Sequence, residues 1–284
     1  LSPWLTVSLA VVFVSFGAVL ARLAAAPALA VAFYRVALAS LVLLPFAARP
    51  AAASFPRLPT RGRLLLFGSG VLLALHFATW IASLSYTTVA SSVLLVNTAP
   101  LFAVFLSRAF LGERTARVVL LAIPLALLGG ALIALGDYHG DPGSLHGNLL
   151  AVAGAVAVAA HQVIGRGLRD ALPLEAYVLG VWGMAAVTLA ALAAAFGASL
   201  HGFPTGTWLA FLALALVPTI GGHGLVNKSL RALPAPTVGL FLLGEPLGAS
   251  ILAFLVFGET PRPGTLLGGA FVLAALALVI TRRG

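Results

Sequence analysis

The segment LFLLGEPLGAS, Leu240–Ser250, lies in an apolar run from Leu233 to Phe257 whose one ionisable residue is Glu245. A run of this length can cross a bilayer, whose hydrocarbon core of roughly 30 Å takes about 20 apolar residues of helix. Pro246 follows the acid at once, and inside a continuous helix a proline removes a hydrogen bond and clashes with the preceding turn. The run therefore reads as a membrane span with a carboxyl group beside a break near its middle.

The rest of the chain has the same character. Of 284 residues, 61% are hydrophobic and 8% are charged, and the mean hydropathy is +1.12. A soluble domain is roughly 45–50% apolar and about 25% charged, so the composition predicts an integral membrane protein. The apolar runs are long, unalternated and rich in Ala and Leu, unlike the alternating short segments of a membrane barrel. The expected fold is an all-α membrane protein of ten spans. They are Leu5–Ala21, Ala28–Ala47, Leu64–Ser83, Val89–Phe110, Val118–Leu135, Leu149–Gly165, Leu174–Phe196, Trp208–Val226, Pro234–Phe257 and Thr265–Thr281. The longest polar break, Gly136–Asn148, divides them into two sets of five. This predicts a first five-helix repeat over 1–136, an extracytoplasmic connector over 137–148 and a second, inverted repeat over 149–284. The chain has no cysteine, which excludes disulfides and thiol chemistry. The first run lacks a basic n-region and a small-residue cleavage site, and so reads as a retained span rather than a signal peptide.

The net charge of +9 serves as a test of topology. With the N-terminus in the cytoplasm, Arg49, Arg57, Arg61, Arg63, Arg108, Arg114, Arg117, Arg166, Arg169, Lys228, Arg231, Arg282 and Arg283 all fall inside. Arg22 and Arg262 fall outside, and Arg35 lies within the second span. Thirteen against two, of 16 Lys and Arg in all, is the positive-inside pattern. Both termini are then cytoplasmic, and the basic residues are topology signals rather than a nucleic-acid surface. The preference for Arg over Lys, with abundant Ala and Gly, points to a bacterial inner (cytoplasmic) membrane.

A shift of 146 superposes Pro27 on Pro173, Pro100 on Pro246, Leu101 on Leu247, Ala103 on Ala249, and Leu111-Gly112-Glu113 on Phe257-Gly258-Glu259. Each half has an odd number of spans, so the second enters the membrane upside down. Inverted repeats of this kind are characteristic of secondary transporters, with a substrate site near the midplane at the repeat interface.

On these residues the chain resembles the EamA-type members of the drug/metabolite transporter superfamily. The likeness rests on PLFA…FLGERT in the fourth span and EPLGA…FGETP in the ninth. It implies a ten-helix, two-repeat transporter with cytoplasmic termini that exports or exchanges small metabolites. A narrower resemblance, to bacterial aromatic amino acid exporters, implies an amino acid substrate.

Polar residues inside a membrane are costly and face a bundle interior or an aqueous cavity. The candidate substrate-binding residues are His76 and Trp80 in span three, Asn97 and Thr98 in span four, His161 and Gln162 in span six, His223 in span eight, and Glu245 and Ser250 in span nine. Pro100 and Pro246 are the candidate helix breaks. Tyr34 and Arg35 lie in span two and Trp182 in span seven. The repeat sets His76 beside His223, Asn97 and Thr98 beside Glu245, and His161 on Ser15. A central cavity lined by spans one, three, four, six, eight and nine follows.

Each candidate also has a structural reading. A histidine can simply bond a neighbouring helix, and Trp80 can be a core or lipid-facing ring. Asn97 and Thr98 can satisfy carbonyls freed by Pro100, and Glu245 can donate to a carbonyl near Pro246. The Leu-Gly-Glu and Phe-Gly-Glu corners read as structure. Gly112 and Gly258 fit helix C-caps, Glu113 and Glu259 sit near the start of a following helix, and Thr115 and Thr260 fit N-caps. Gly129-Gly130 and Gly268-Gly269 fit close helix packing, as does Gly68-Ser69-Gly70.

No enzyme, metal or nucleotide-binding motif is present, so no cofactor and no direct ATP drive are expected. The predicted function is a secondary transporter, an exporter of small metabolites such as amino acids, working by alternating access. A passive channel or facilitator is the alternative. A strongly anionic substrate would call for a central Arg or Lys cluster, which the sequence lacks. The expected partners are a small-molecule substrate and the lipid bilayer, with proton coupling and a monomeric or homodimeric state left open.

Overall fold

The computed structural model describes residues 1–112, 117–137, 142–168, 171–229, 238, 241–242 and 244–281. Among these the chain forms twelve α-helices and no strand. They are α1 Pro3–Leu23, α2 Ala28–Ser54, α3 Thr60–Ser83, α4 Val89–Val96, α5 Ala99–Leu111, α6 Arg117–Asp137, α7 Pro142–Leu168, α8 Leu174–Ala195, α9 Thr205–Leu214, α10 Gly224–Ser229, α11 Glu245–Phe257 and α12 Pro263–Thr281. A π-helical segment, Ala215–His223, joins α9 to α10. Helices α4 and α5 together make the fourth expected span, and α9 to α10 make the eighth.

Seven of these helical stretches are long and apolar enough to cross a membrane, and three shorter apolar helices, Pro124–Ile133, Glu245–Phe257 and Pro263–Ala275, stand where spans five, nine and ten were expected. The chain is a multi-pass membrane protein. Leu41, Phe46, Leu64, Phe110, Leu127, Leu149, Val187, Leu209 and Leu255 are exposed on its outside, a surface that water would penalise and lipid does not. The inside is built from small residues, with Ala10, Ala30, Ala32, Ala74, Ala155, Ala159 and Ala185 buried. Lipid gives no hydrophobic drive between helices, so small side chains that let backbones approach supply the packing.

The helix neighbours obey the repeat. Exchanging span n with span n + 5 turns the α3–α7 contact into the contact of α1 with the π-segment, and both are present. The same exchange turns α4–α5 against α7 into α11 against α1, and α3–α8 into the span-eight contact with α2. The pairs α2–α8, α4–α11 and α6–α12 map onto themselves, as pairs astride a two-fold axis must. Gly129 meets Gly268 backbone to backbone, and Gly136 meets Gly264 in the same way. The order of these contacts makes α6 and α12 antiparallel. A side chain at any of the four would separate the helices, so the expected glycine packing is within one molecule. Gly70 likewise admits α8, since a Cβ there would lie 2.6 Å from Met184 Cβ and 2.8 Å from the Val181 carbonyl.

The corners match in the two halves. α5 ends at Gly112 with φ 69° and α11 at Gly258 with φ 67°, the left-handed cap that glycine adopts without strain. Pro100 and Pro246 each sit second in a helix, α5 and α11, where the missing N–H needs no partner. They start new helical segments rather than kinking continuous ones.

Three expectations need correction. α2 runs on to Ser54 through Pro45 and Pro50, past the expected end at Ala47, because Ala47 and Ala51, one turn apart, stay buried. α7 begins at Pro142, so helix takes up the second half of the polar break. Thr260 is not an N-cap. α12 starts at Pro263, and a residue before proline, here Arg262, is held out of helical geometry. Glu259 does stand at a helix start, but at that of α4. It accepts from the Val89 backbone N–H at 2.8 Å and from Arg22 Nη1 at 2.6 Å. Glu113 and Thr115, in the equivalent corner, lie outside the described residues, as do Asp141 and the start of span nine.

Candidate functional site

The centre of the molecule holds a buried cation. Arg35, on α2, is 2% exposed. Its Nε donates to Thr219 Oγ1 at 2.8 Å, and its Nη2 faces His223 Nε2 at 3.4 Å. The guanidinium lies over the Phe77 ring, 4.2 Å from its centroid, and 5.6 Å from that of Trp80. These faces suit a weakly hydrated planar cation. The third nitrogen, Nη1, is buried and has no hydrogen-bond partner among the described residues.

Thr219 is delivered by a local irregularity of span eight. Pro218 cannot donate to the helical ladder, and the chain there widens into the π-segment. Such bulges shift the register of side chains and are frequent at functional sites. Thr219 Oγ1 donates its proton five residues back, to the Leu214 carbonyl, at 2.8 Å. Its lone pairs then accept from Arg35, so one hydroxyl closes the gap in the helix and holds the guanidinium. His223, at the end of the same segment, must use an unprotonated Nε2 to accept from Arg35.

On the α3 side, His76, Phe77 and Trp80 form one aromatic face. His76 and Trp80 stack nearly parallel, 5.9 Å between centroids and 6° between planes. His76 Nδ1 donates to the Gly154 carbonyl of α7 at 3.0 Å, which leaves Nε2 as an acceptor. Trp80 is 4% exposed, and its Nε1 has no hydrogen-bond partner among the described residues. Gly17, on α1, faces the Trp80 ring edge and the unpaired Arg35 nitrogen. A Cβ there would lie 3.4 Å from the Trp80 ring edge and 4.0 Å from Arg35 Nη1.

Glu245 is the first residue of α11, where the positive end of the helix favours a carboxylate. This answers the oddity of an acid beside a proline, since the acid opens a helix in mid-membrane instead of interrupting one. The carboxyl group lies near Asn97 and within electrostatic reach of Arg35. Asn97 and Thr98 occupy the break between α4 and α5. Asn97 Nδ2 donates to the Val93 carbonyl at 2.9 Å and Thr98 Oγ1 to the Leu95 carbonyl at 2.6 Å, each back onto α4. Asn97 has a second amide proton for Glu245. Ser250 donates back to the Pro246 carbonyl at 2.7 Å within its own helix. Exposed His223, with half-buried Glu245 and Asn97, gives the cluster a border on open space.

His161 stands apart from this group. Its Nδ1 is 2.8 Å from Ser69 Oγ on α3, which is in turn 3.2 Å from the Tyr177 hydroxyl on α8. The arrangement ties three helices together. The ring is still within electrostatic reach of His76 and His223. Gln162 is exposed on α7. Tyr34 donates to the Leu200 carbonyl at 2.5 Å and packs with Phe203, Trp208 and Phe211, a structural cluster at the far end of span eight. Among the described residues no group of three or more His, Asp and Glu is arranged to hold a metal ion.

Sequence reasoning passed over Arg35 and Thr219 as site residues and omitted span two from the cavity. The signal for Arg35 was available, as it is the one basic residue well inside a span, Arg108 standing at the end of its own. The repeat sharpens it. Arg35 corresponds to Val181 and Glu245 to Ala99, at the same shift of 146, so both central charges stand where the other half has an apolar residue.

Comparison with known proteins bears on the family and the fold. A family model described as the EamA-like transporter family matches the chain twice, over residues 2–135 and 145–281. An uncharacterized transporter of Archaeoglobus fulgidus is 28% identical over 250 residues, 88% of this chain and 86% of that one. A probable terminal-alkyne amino-acid exporter of Streptantibioticus cattleyicolor is 30% identical over 197 residues, 66% and 63% of the two chains. A riboflavin transporter of Rhizobium johnstonii is 30% identical over 260 residues, 89% and 81%. A protein of known crystal structure shares the fold, with a TM-score of 0.67 at 22% identity over 99% of this chain and 98% of that one.

Proposed function

Because the chain belongs to the EamA-like transporter family, we propose that it is a secondary transporter that exports small zwitterionic metabolites, amino acids foremost, across a bacterial inner membrane with both termini cytoplasmic. The observation that carries this reading is the pair Arg35 and Glu245. They bring opposite charges from opposite halves into one apolar interior, at positions where the repeat needs neither. A fixed charge in hydrocarbon costs several kcal/mol, and a scaffold that can be built with Val181 and Ala99 has no use for that expense. A substrate that is both acid and base does.

The aromatic face of His76, Phe77 and Trp80 supports a substrate with an apolar or aromatic side chain. Transport then proceeds by rocking of one half against the other, with the substrate held at their interface. The helix starts at α5 and α11 place irregular backbone where such a site needs it. Reconstituted protein should accumulate or release labelled phenylalanine at a saturable rate. Flux no greater than in empty vesicles, for phenylalanine and a panel of other amino acids, would remove this function.

A further inference from the structure

We propose that Arg35 Nη1 and Trp80 Nε1 together form the carboxylate subsite of the substrate, so that the carrier selects molecules bearing a free carboxylate and discriminates against their amides. This deepens the transporter reading and rests on it. The two atoms are the buried side-chain donors without a partner among the described residues. Their side chains are 2% and 4% exposed. A buried donor left unpaired is destabilising, and most of all a charged one, so a fold that keeps two side by side has a reason to keep them.

They are neighbours. The guanidinium centre is 5.6 Å from the Trp80 ring centroid, and Arg35 Nη1 and the Cη2 edge of the Trp80 ring both face the bare Cα of Gly17. Nε of the guanidinium is engaged by Thr219, and Nη2 faces His223. Those bonds leave Nη1 as the unengaged corner of the cation. Both orphans are donors only, so what they lack is an acceptor with two lone-pair directions, which a carboxylate has. Glu245 and the unprotonated Nε2 of His76 are acceptors nearby and suit the ammonium of the same molecule. A methyl at Gly17 would sit in contact with the indole edge and the guanidinium.

The test measures binding and flux separately with two probes, phenylalanine and phenylalaninamide, which share ring and ammonium and differ in the carboxylate. Full-length protein in detergent should be stabilised against heat by phenylalanine at concentrations roughly 10- to 100-fold lower than the amide requires, the range of a charge-assisted hydrogen-bond pair. In Trp80→Phe, which keeps an aromatic ring and loses the N–H, the ratio between acid and amide should collapse several-fold. A fall in affinity for both probes alike would mark Trp80 as packing. Equal binding of acid and amide by the native protein, binding of neither, or an unchanged ratio in Trp80→Phe would overturn the subsite. An unchanged ratio is also what a buried water on the two donors predicts. Preferential binding of phenylalanine without vesicle flux would leave the subsite standing and remove the transport reading instead.

Discussion

Arg35 Nε donates to Thr219 Oγ1 across 184 residues of sequence, at 2.8 Å. The bond joins α2 of the first half to the π-segment of the second, and it orients the cation. Thr219→Val has nearly the same shape but leaves a buried charged donor unpaired, a loss of about 1.5–3 kcal/mol for such a bond. Transport should fall roughly 10- to 100-fold, since each 1.4 kcal/mol is about tenfold. Thr219→Ser should restore most of it. Equal activity in all three proteins would show that Arg35 needs no such orientation.

Arg22 and Glu259 form the ion pair found among the described residues, and Glu259 also receives the first amide of α4. One carboxylate thus ties the end of α1 to the start of α4 and the corner after α11. The side chains are 34% and 16% exposed, so solvent screens the pair and its worth is about 1 kcal/mol or less. Glu259→Gln keeps an oxygen for Val89 and loses the charge. Its melting temperature should drop by about 2–4 °C, and the gap should narrow in high salt. A gap that ignores salt would assign the effect to the α4 cap rather than to Arg22.

Two glycines in one α3 turn make an internal control. Gly70→Ala places a methyl against the α8 backbone and should cost about 1–3 kcal/mol, as overpacking does. Gly68 has nothing within 4 Å of a Cβ, and Gly68→Ala should be neutral or stabilising by up to about 1 kcal/mol through helix propensity. Thermal unfolding of the two variants in the same detergent reads the difference, and the reverse order would contradict the α3–α8 interface.

Glu245→Gln leaves the start of α11 and the Asn97 contact able to form, and removes the charge. If the carboxylate serves the substrate, amino acid flux should fall at least tenfold with little change in melting temperature. A variant that transports normally would make Glu245 an anchor for the helix start and nothing more.

The parts of this account that were legible in the sequence share a physical property. Lipid-facing helices have to be apolar along their length, so the spans followed from local composition, and the family followed from the short motifs around Pro100, Gly112, Pro246 and Gly258. Gly112, Gly258, Pro100 and Pro246 were legible because backbone geometry restricts those positions to few residue types. The site was less so. Arg35 meets Thr219 only because α2 and span eight pack together, and nothing local to either residue encodes the meeting. Thr219 looks like any helical threonine until Pro218 opens the π-turn beneath it. The polar register of the repeat pointed to His76, Asn97, Thr98, His161, His223 and Glu245, because it rests on matching polar positions. It passed over Arg35 because the two central charges stand where the halves differ.

The central claim is that the Arg35–Glu245 interior carries a zwitterion from one side of the membrane to the other. The direct measurement is efflux of labelled phenylalanine from vesicles holding the purified protein, with and without unlabelled phenylalanine outside. A carrier of this design should show saturable efflux that speeds up when the outside is loaded, and Arg35→Ala should abolish it. Efflux that is linear in concentration and indifferent to the far side, or that survives in Arg35→Ala, would contradict the account.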